Sequence, residues 1–247
     1  MVIYYSCVIF LFGAAFGSFY NVVGLRLPKG KSIVSPPSQC ENCHYQLKPL
    51  DLIPILSFIF LKGKCRKCGV KIGAFHTLIE LFTALLAVAA YLKFGFSVEV
   101  FVAWLMISLF AIITVSDLLY QIIQDKILLF FGIPILILRF FSPLDPWWDM
   151  FAGAFFGFGI FLLLSILSHG GMGGGDIKLY FVIGLVLGIK LTFVSIFLSA
   201  VIGLIAAIIL KRGFGKTIPF GPSIAIGSLL AYFYGNNLVD WYMNLLM

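Results

Sequence analysis

The chain has 247 residues, 62% of them apolar and 11% charged, with a mean hydropathy of +1.10 and a formal net charge of +7. Soluble domains carry about 25% charged residues, so the composition excludes an ordinary soluble enzyme and calls for a lipid environment. The positive charge would fit a nucleic-acid partner only if it lay on a soluble module, and none of ordinary size is present.

Runs of about 20 apolar residues can cross a bilayer. In chain order they are predicted at residues 3–25, 77–94, 98–116, 127–141 and 151–167, with a bend at Pro134 in the fourth. The run 177–210 is too long for one span, and Gly188-Ile189-Lys190 is its natural break. A last helix is expected from about residue 218 to the C-terminus. The expected fold is an all-α integral membrane protein of about eight transmembrane helices. The first run opens at Val2 without a basic leader and is followed by a basic segment, so it reads as a span and not as a cleaved signal.

Charge placement predicts the orientation. Nine of the 17 Lys and Arg lie within residues 26–71, opposed only by Glu41 and Asp51. Basic loops flanking spans stay in the cytoplasm. With that loop inside, Lys126, Lys178, Lys211, Arg212 and Lys216 also fall inside, and Lys93, Arg139 and Lys190 outside. Fourteen of 17 basic residues thus agree with one orientation, which favours eight spans over seven. Three parts are expected: a first helix (1–25), a polar cytoplasmic domain (26–75) and a seven-helix membrane domain (76–247).

The polar domain carries Cys40-Glu41-Asn42-Cys43 and Cys65-Arg66-Lys67-Cys68, two Cys-x2-Cys knuckles separated by 21 residues. Each tight turn can point two sulfurs at one ion, and four thiolates close a tetrahedron around Zn²⁺. A closed site leaves no open coordination position, so the metal is expected to be structural. A polar segment this small needs such a staple. Two disulfides are the alternative, disfavoured by cytoplasmic placement. His44 reads as a surface residue rather than a ligand, and Cys7 as an apolar filler in the first helix.

Acids in or beside membrane spans are costly and are functional candidates. Glu80, Asp117, Asp125 and Asp176 qualify. Asp117 is expected to end the third span and Asp176 to open the sixth helix, 59 residues later and on the same side of the membrane. Asp176 follows Gly170-Gly171-Met172-Gly173-Gly174-Gly175, a backbone almost free of side chains. A peptide could approach Gly173, Gly174 and Gly175 closely and pair as an added strand. Two adjacent carboxyl groups share one proton, and the charged one can activate water while the neutral one donates to a scissile carbonyl. The glycines also read as a plain flexible loop or a phosphate cradle, and Asp176 as a helix N-cap.

These motifs resemble the type IV prepilin peptidase family, within the GxGD class of membrane aspartic proteases. Gly173-Gly174-Gly175-Asp176-Ile177-Lys178 matches the family's Gly-x-Gly-Asp-x-Lys, and Asp117 to Asp125 resembles its Asp-x6-Pro-Asp. Gly17-Ser18-Phe19-Tyr20-Asn21 with Arg26-Leu27-Pro28 resembles the N-terminal signature, and Asp51-Leu52-Ile53-Pro54 and Glu80-Leu81 also match. Gln124 and Glu41 replace family prolines, and Gly73-Ala74-Phe75-His76 replaces an Arg-Tyr-Pro. The resemblance implies catalysis by Asp117 and Asp176 at the bacterial inner (cytoplasmic) membrane, with prepilins or pseudopilins as partners and no nucleic acid. It also implies N-methylation of the product with S-adenosylmethionine, for which Asn21, Arg26 and Glu80 are the candidate residues. A presenilin-like intramembrane protease, a pilus or secretion assembly scaffold and a proton-coupled transporter are the competing readings. The cysteine quartet argues against the first, and paired acids at one interface against the other two.

Overall fold

The computed structural model describes residues 1–168, 171–209 and 219–246. Gly170 of the glycine run, Lys211, Arg212 and Lys216, and the expected helix ends at 210 and 218 lie outside the described residues. The described chain is helical: α1 (Val2–Arg26), α2 (Leu56–Phe60), α3 (Phe75–Phe94), α4 (Val98–Tyr120), α5 (Asp125–Phe141), α6 (Asp149–Leu167), α7 (Gly174–Ile209) and α8 (Gly221–Leu246). Among the described residues, five helical segments are long and apolar enough to cross a membrane: Val2–Lys29, Phe75–Phe94, Val98–Tyr120, Asp149–Leu167 and Gly174–Ile209. The chain divides into two compact units, residues 1–115 and 116–247.

In the first unit α1 packs on α3 through a stripe of small residues. A Cβ on Gly13 would lie 2.8 Å from the Ala84 Cα, and one on Gly17 2.8 Å from the Glu80 Cα. Both contacts are too tight for a side chain, so the Gly13-x3-Gly17 spacing lets the two backbones touch, as membrane helices do when water supplies no force between them. Polar bonds add direction. Tyr20 Oη and Ser108 Oγ lie 2.6 Å apart between α1 and α4, and Trp104 Nε1 donates to the Ala87 carbonyl at 3.1 Å between α4 and α3.

In the second unit α7 is a hairpin. Along a straight helix, at about 1.5 Å per residue, Ser195 and Ser199 would lie about 22 and 28 Å from Tyr180. Instead Tyr180 Oη is 3.4 Å from Ser195 Oγ and donates to Ser199 Oγ at 3.0 Å. The chain turns back at Gly188, whose φ of 69° and ψ of 179° are non-helical. A side chain there would be strained and would meet Asp149. The expected break at Gly188-Ile189-Lys190 is therefore where the backbone reverses. Arg139 of α5, 2% exposed, donates to the Val186 carbonyl at 2.8 Å and so closes the first arm. Asp149 of α6 accepts the Ile189 N–H at 3.1 Å and opens the second. Tyr180 stacks on Phe161 of α6 at 4.0 Å, and Ser195 bonds Ser228 of α8 at 2.8 Å.

Two expected positions are corrected. Asp117 does not end its helix, because α4 runs on to Tyr120. Its last turn closes where Gln121, at φ 55°, donates its N–H to the Asp117 carbonyl at 2.9 Å. Asp176 is not an N-cap either: it is the third residue of α7, and its N–H already bonds the Gly173 carbonyl at 3.1 Å.

Candidate active site and metal centre

Asp117 and Asp176 both belong to the second unit. The last turn of α4 carries Asp117, which is 6% exposed, and the first turn of α7 carries Asp176, which is half-buried. The two carboxyl groups are close enough to interact electrostatically. One oxygen of Asp117 is held: Oδ2 accepts the backbone N–H of Gly221 at 2.7 Å, from the first residue of α8. The other oxygen is left for a water or for the partner carboxyl.

The three glycines play separate parts. A Cβ on Gly175 would sit 2.6 Å from that of Ile123, so this residue must be small for the loop after α4 to pack over α7. Gly173 faces the Asp176 carboxyl, with a built Cβ 3.3 Å from Oδ2, and Gly174 has open space before it. Lys178 pairs with Asp125 at 2.6 Å, with side chains 52% and 60% exposed. Asp125 is thus the first residue of α5 and bridges it to α7. Gly221 was missed from sequence. The signal was present in Pro219-Phe220-Gly221-Pro222, since Pro just inside a helix start marks its N-terminus.

The four knuckle cysteines gather in the first unit, with all four Sγ atoms within 4.8 Å of one another. Cys40 Sγ is 3.8 Å from Cys68 Sγ, and Cys43 Sγ 3.9 Å from Cys65 Sγ. Four sulfurs about 2.3 Å from a tetrahedral ion would stand about 3.8 Å apart, so the spacing fits a closed metal site and is far too long for disulfides. The knuckles repeat one geometry. Cys40 N–H bonds the Tyr45 carbonyl and Cys65 N–H the Val70 carbonyl, each at 2.9 Å, while His44 and Gly69 take the left-handed turns at φ 53° and 69°. The Val70 N–H and the Asn42 amide hold the Cys68 thiol down to about 6, which favours the thiolate a metal needs. Behind the site, Asp51 accepts from Arg66 Nε at 2.7 Å and from the Lys48 N–H at 3.2 Å.

The candidates Asn21 and Glu80 lie buried where α1 meets α3. Asn21 donates to the His76 carbonyl at 3.0 Å and meets its ring Nδ1 at 3.1 Å, a partner the sequence did not single out. Glu80 accepts the Ile55 N–H at 2.8 Å and a bond from Ser18. Ile55 sits at φ 63°, a strained position for a β-branched residue, and Glu80 anchors it. Arg26 stands apart, donating to the Ser32 carbonyl at 3.2 Å.

Comparison with known proteins gives the same reading. The Bacterial Peptidase A24 N-terminal domain matches residues 11–94, and the Type IV leader peptidase family matches residues 104–208. A prepilin leader peptidase/N-methyltransferase of Bacillus subtilis (strain 168) is 43% identical over 242 residues, covering 96% of this chain and 98% of its own. Proteins of the same name from Aeromonas hydrophila and Pseudomonas aeruginosa are each 31% identical, covering 97% and 94% of this chain and 94% and 91% of their own. No solved structure matches the chain. With both halves matched in order and relatives aligned along almost its whole length, the chain belongs to the type IV prepilin leader peptidase/N-methyltransferase family.

Proposed function

We propose that the protein is a membrane aspartic endopeptidase that removes the basic leader of type IV prepilin-like precursors, and that it also N-methylates the new amino terminus. The observation that carries the first activity is the pairing of Asp117 and Asp176 from two helix ends, with Asp117 oriented by the Gly221 N–H. A water between the carboxyl groups loses its proton to the charged one and attacks the scissile carbonyl. The neutral one donates to the carbonyl oxygen, and the roles then reverse to release the new amine.

Eight membrane-crossing segments fit the hairpin reading, with α7 supplying two and α5 and α8 one each beyond the remaining four. In the second unit Lys126 and Lys178 flank the Asp176 end of the helices, and Lys190 and Asp149 the opposite end. In the first unit the basic segment 26–71 joins α1 to α3. Both patterns support a cytoplasmic active face in the bacterial inner membrane. For the segment 26–75 a structural Zn²⁺ on Cys40, Cys43, Cys65 and Cys68 suits the sulfur spacing. Gly173 and Gly174 form the open approach to Asp176 for the peptide backbone.

Methylation rests on the family. Asn21, Arg26 and Glu80 are its candidate residues; Arg26 donates to the Ser32 carbonyl, and the polar atoms of Asn21 and Glu80 are taken up by His76, Ser18 and Ile55. The Asn21 and Glu80 pair therefore offers S-adenosylmethionine no open donor set.

The test uses membranes carrying the protein and a prepilin, with mass spectrometry of the product's amino terminus. Asp117→Asn and Asp176→Asn should each lower cleavage by at least about a thousandfold while still inserting, as expected for groups that act as a unit. Appreciable processing by either variant would sink the two-carboxyl mechanism. A product lacking the methyl group would make this chain a peptidase alone.

A further inference from the structure

We propose that residues 49–61 of the first unit form a lipid-embedded strap, an apolar stretch that lies in the headgroup boundary of an anionic leaflet and ties the cysteine-bearing segment to the membrane beside α1 and α3.

The stretch differs from the basic chain around it. It runs Pro49-Leu50-Asp51-Leu52-Ile53-Pro54-Ile55-Leu56-Ser57-Phe58-Ile59-Phe60-Leu61, and its one charged residue, Asp51, is buried and paired with Arg66 at 2.7 Å. It folds as a 3-10 turn over Pro49–Leu52 and then as α2, yet most of its apolar side chains stay uncovered. Leu50, Leu52, Ile53, Leu56, Ile59 and Phe60 are all exposed, Phe60 to 80%. A surface facing water rarely gathers so many large apolar groups in one place.

The strap is pinned at a definite depth. α3 is 20 residues long, which at about 1.5 Å per residue is about 30 Å, the thickness of a hydrocarbon core. Glu80 is five residues beyond its first residue, Phe75, and so stands about 7.5 Å in from that end. Glu80 Oε2 accepts the N–H of Ile55 at 2.8 Å, one residue before α2 begins. The backbone at the start of α2 is thereby held level with the second turn of α3. Interfacial helices sink their apolar faces about 5–10 Å into the boundary between headgroups and acyl chains, and Ile55 is fixed within that range. Side chains exposed at that depth face lipid rather than water.

Charge selects the lipid. Lys48 precedes the stretch and Lys62 and Lys64 follow it, all three exposed. Such lysines can lay their stems along apolar surface and raise their ammonium groups to the phosphates, and near a membrane surface they favour anionic lipid. A protein partner would have to displace acyl chains at the depth of Glu80, and it would leave these lysines without phosphates.

The test places a photoreactive benzoylphenylalanine at Phe60, or at the exposed, polar Gln46 beside the first cysteine knuckle. The full-length protein is reconstituted in vesicles of equal phosphatidylglycerol and phosphatidylcholine, and adducts are identified by mass spectrometry. Phospholipid adducts should form at least about tenfold more from position 60 than from 46, the discrimination that burial of one large apolar side chain supports. Those at 60 should carry phosphatidylglycerol about fivefold more than phosphatidylcholine, the preference that one lysine near the surface confers. Lys48→Gln, Lys62→Gln and Lys64→Gln together should bring the two lipids to parity while position 60 still reacts with phospholipid. Equal phospholipid yields at 60 and 46 would overturn the proposal, and parity of the two lipids in the unaltered strap would overturn its anionic leaflet. Repeated in the cell's own membranes, adducts at 60 with a protein in place of phospholipid would assign the face to that partner instead. No readout depends on cleavage, so a failure of the peptidase reading would leave these outcomes distinct from it.

Discussion

Asp117 Oδ2 accepts the N–H of Gly221 at 2.7 Å, a bond across 104 residues that ties the last turn of α4 to the first residue of α8. A side-chain carboxyl on a helix end has free torsions, and this bond fixes one of its oxygens relative to a backbone that cannot rotate.

The bond can be removed without removing a side chain. Gly221→Pro deletes the N–H at a helix start, where proline is tolerated. It should lower kcat roughly tenfold to hundredfold, less than the about 10²–10³ lost with a donor that touches the reacting oxygen, and leave KM near its value. Gly221→Ala keeps the donor and should stay close to the unaltered enzyme. Steady-state kinetics on a prepilin decide it, and equal loss in both variants would show that only space at Gly221 matters.

Much of this site could be read from the chain, and the limits have physical causes. Asp117, Asp176 and the cysteines announce themselves because charge near lipid and paired Cys-x2-Cys knuckles are costly patterns with few explanations. Gly188 was legible as a break, since residues 177–210 exceed one bilayer crossing. The partners of these groups were not. Gly221 acts through its backbone, which has no letter of its own in the sequence. Arg139 reads as an outward-facing flanking charge, and only the reversal at Gly188 explains why it is 2% exposed. His76 meets Asn21 across 55 residues, a pairing set by the close approach of α1 and α3.

Zinc should be bound at one ion per chain. Cys43→Ser should leave a weaker, open site, since three thiolates no longer close the tetrahedron. Metal analysis of purified protein and of the variant checks this. A metal-free preparation with full cleavage activity would refute a structural ion.

Asp51 gives a prediction with a defined sign. Burial opposes its charge, but the Arg66 guanidinium, the Lys48 N–H and the Tyr45 hydroxyl outweigh it and hold the carboxyl below its ordinary value. A depressed carboxyl stabilises the fold above its unfolded pKa of about 3.9, and that contribution is lost only as pH falls below it. Between pH 8 and about 5.5 the contribution should therefore be constant. Asp51→Asn should release zinc to a chelator faster than the unaltered protein by the same factor at every pH in that window. Both should speed up together as the thiolates are protonated. A factor that shrinks within the window would show that Asp51 is not held as a paired anion.

The turn of α7 should depend more on Arg139 than on Asp149. Both cap an arm of the hairpin, Arg139 at the Val186 carbonyl and Asp149 at the Ile189 N–H. Their surroundings differ. Arg139 is buried, so Arg139→Met strands a carbonyl where no water can reach it, at a cost of about 1–3 kcal/mol. The Asp149 bond is exposed, so water can replace it in Asp149→Ala, and Asp149→Asn keeps a good cap. Arg139→Lys restores the charge but not the fork that also reaches the Ser142 carbonyl at 3.3 Å, so it should recover only part of the loss. Thermal unfolding in detergent should rank Arg139→Met as the least stable, then Arg139→Lys, then Asp149→Ala. The first arm carries Asp176 at its other end, so kcat should fall in the same order, because a loosened turn lets that carboxyl drift from Asp117. Stability falling in that order with kcat unchanged would confine the pair to holding the fold, and Asp149→Ala falling below Arg139→Met would invert the burial argument.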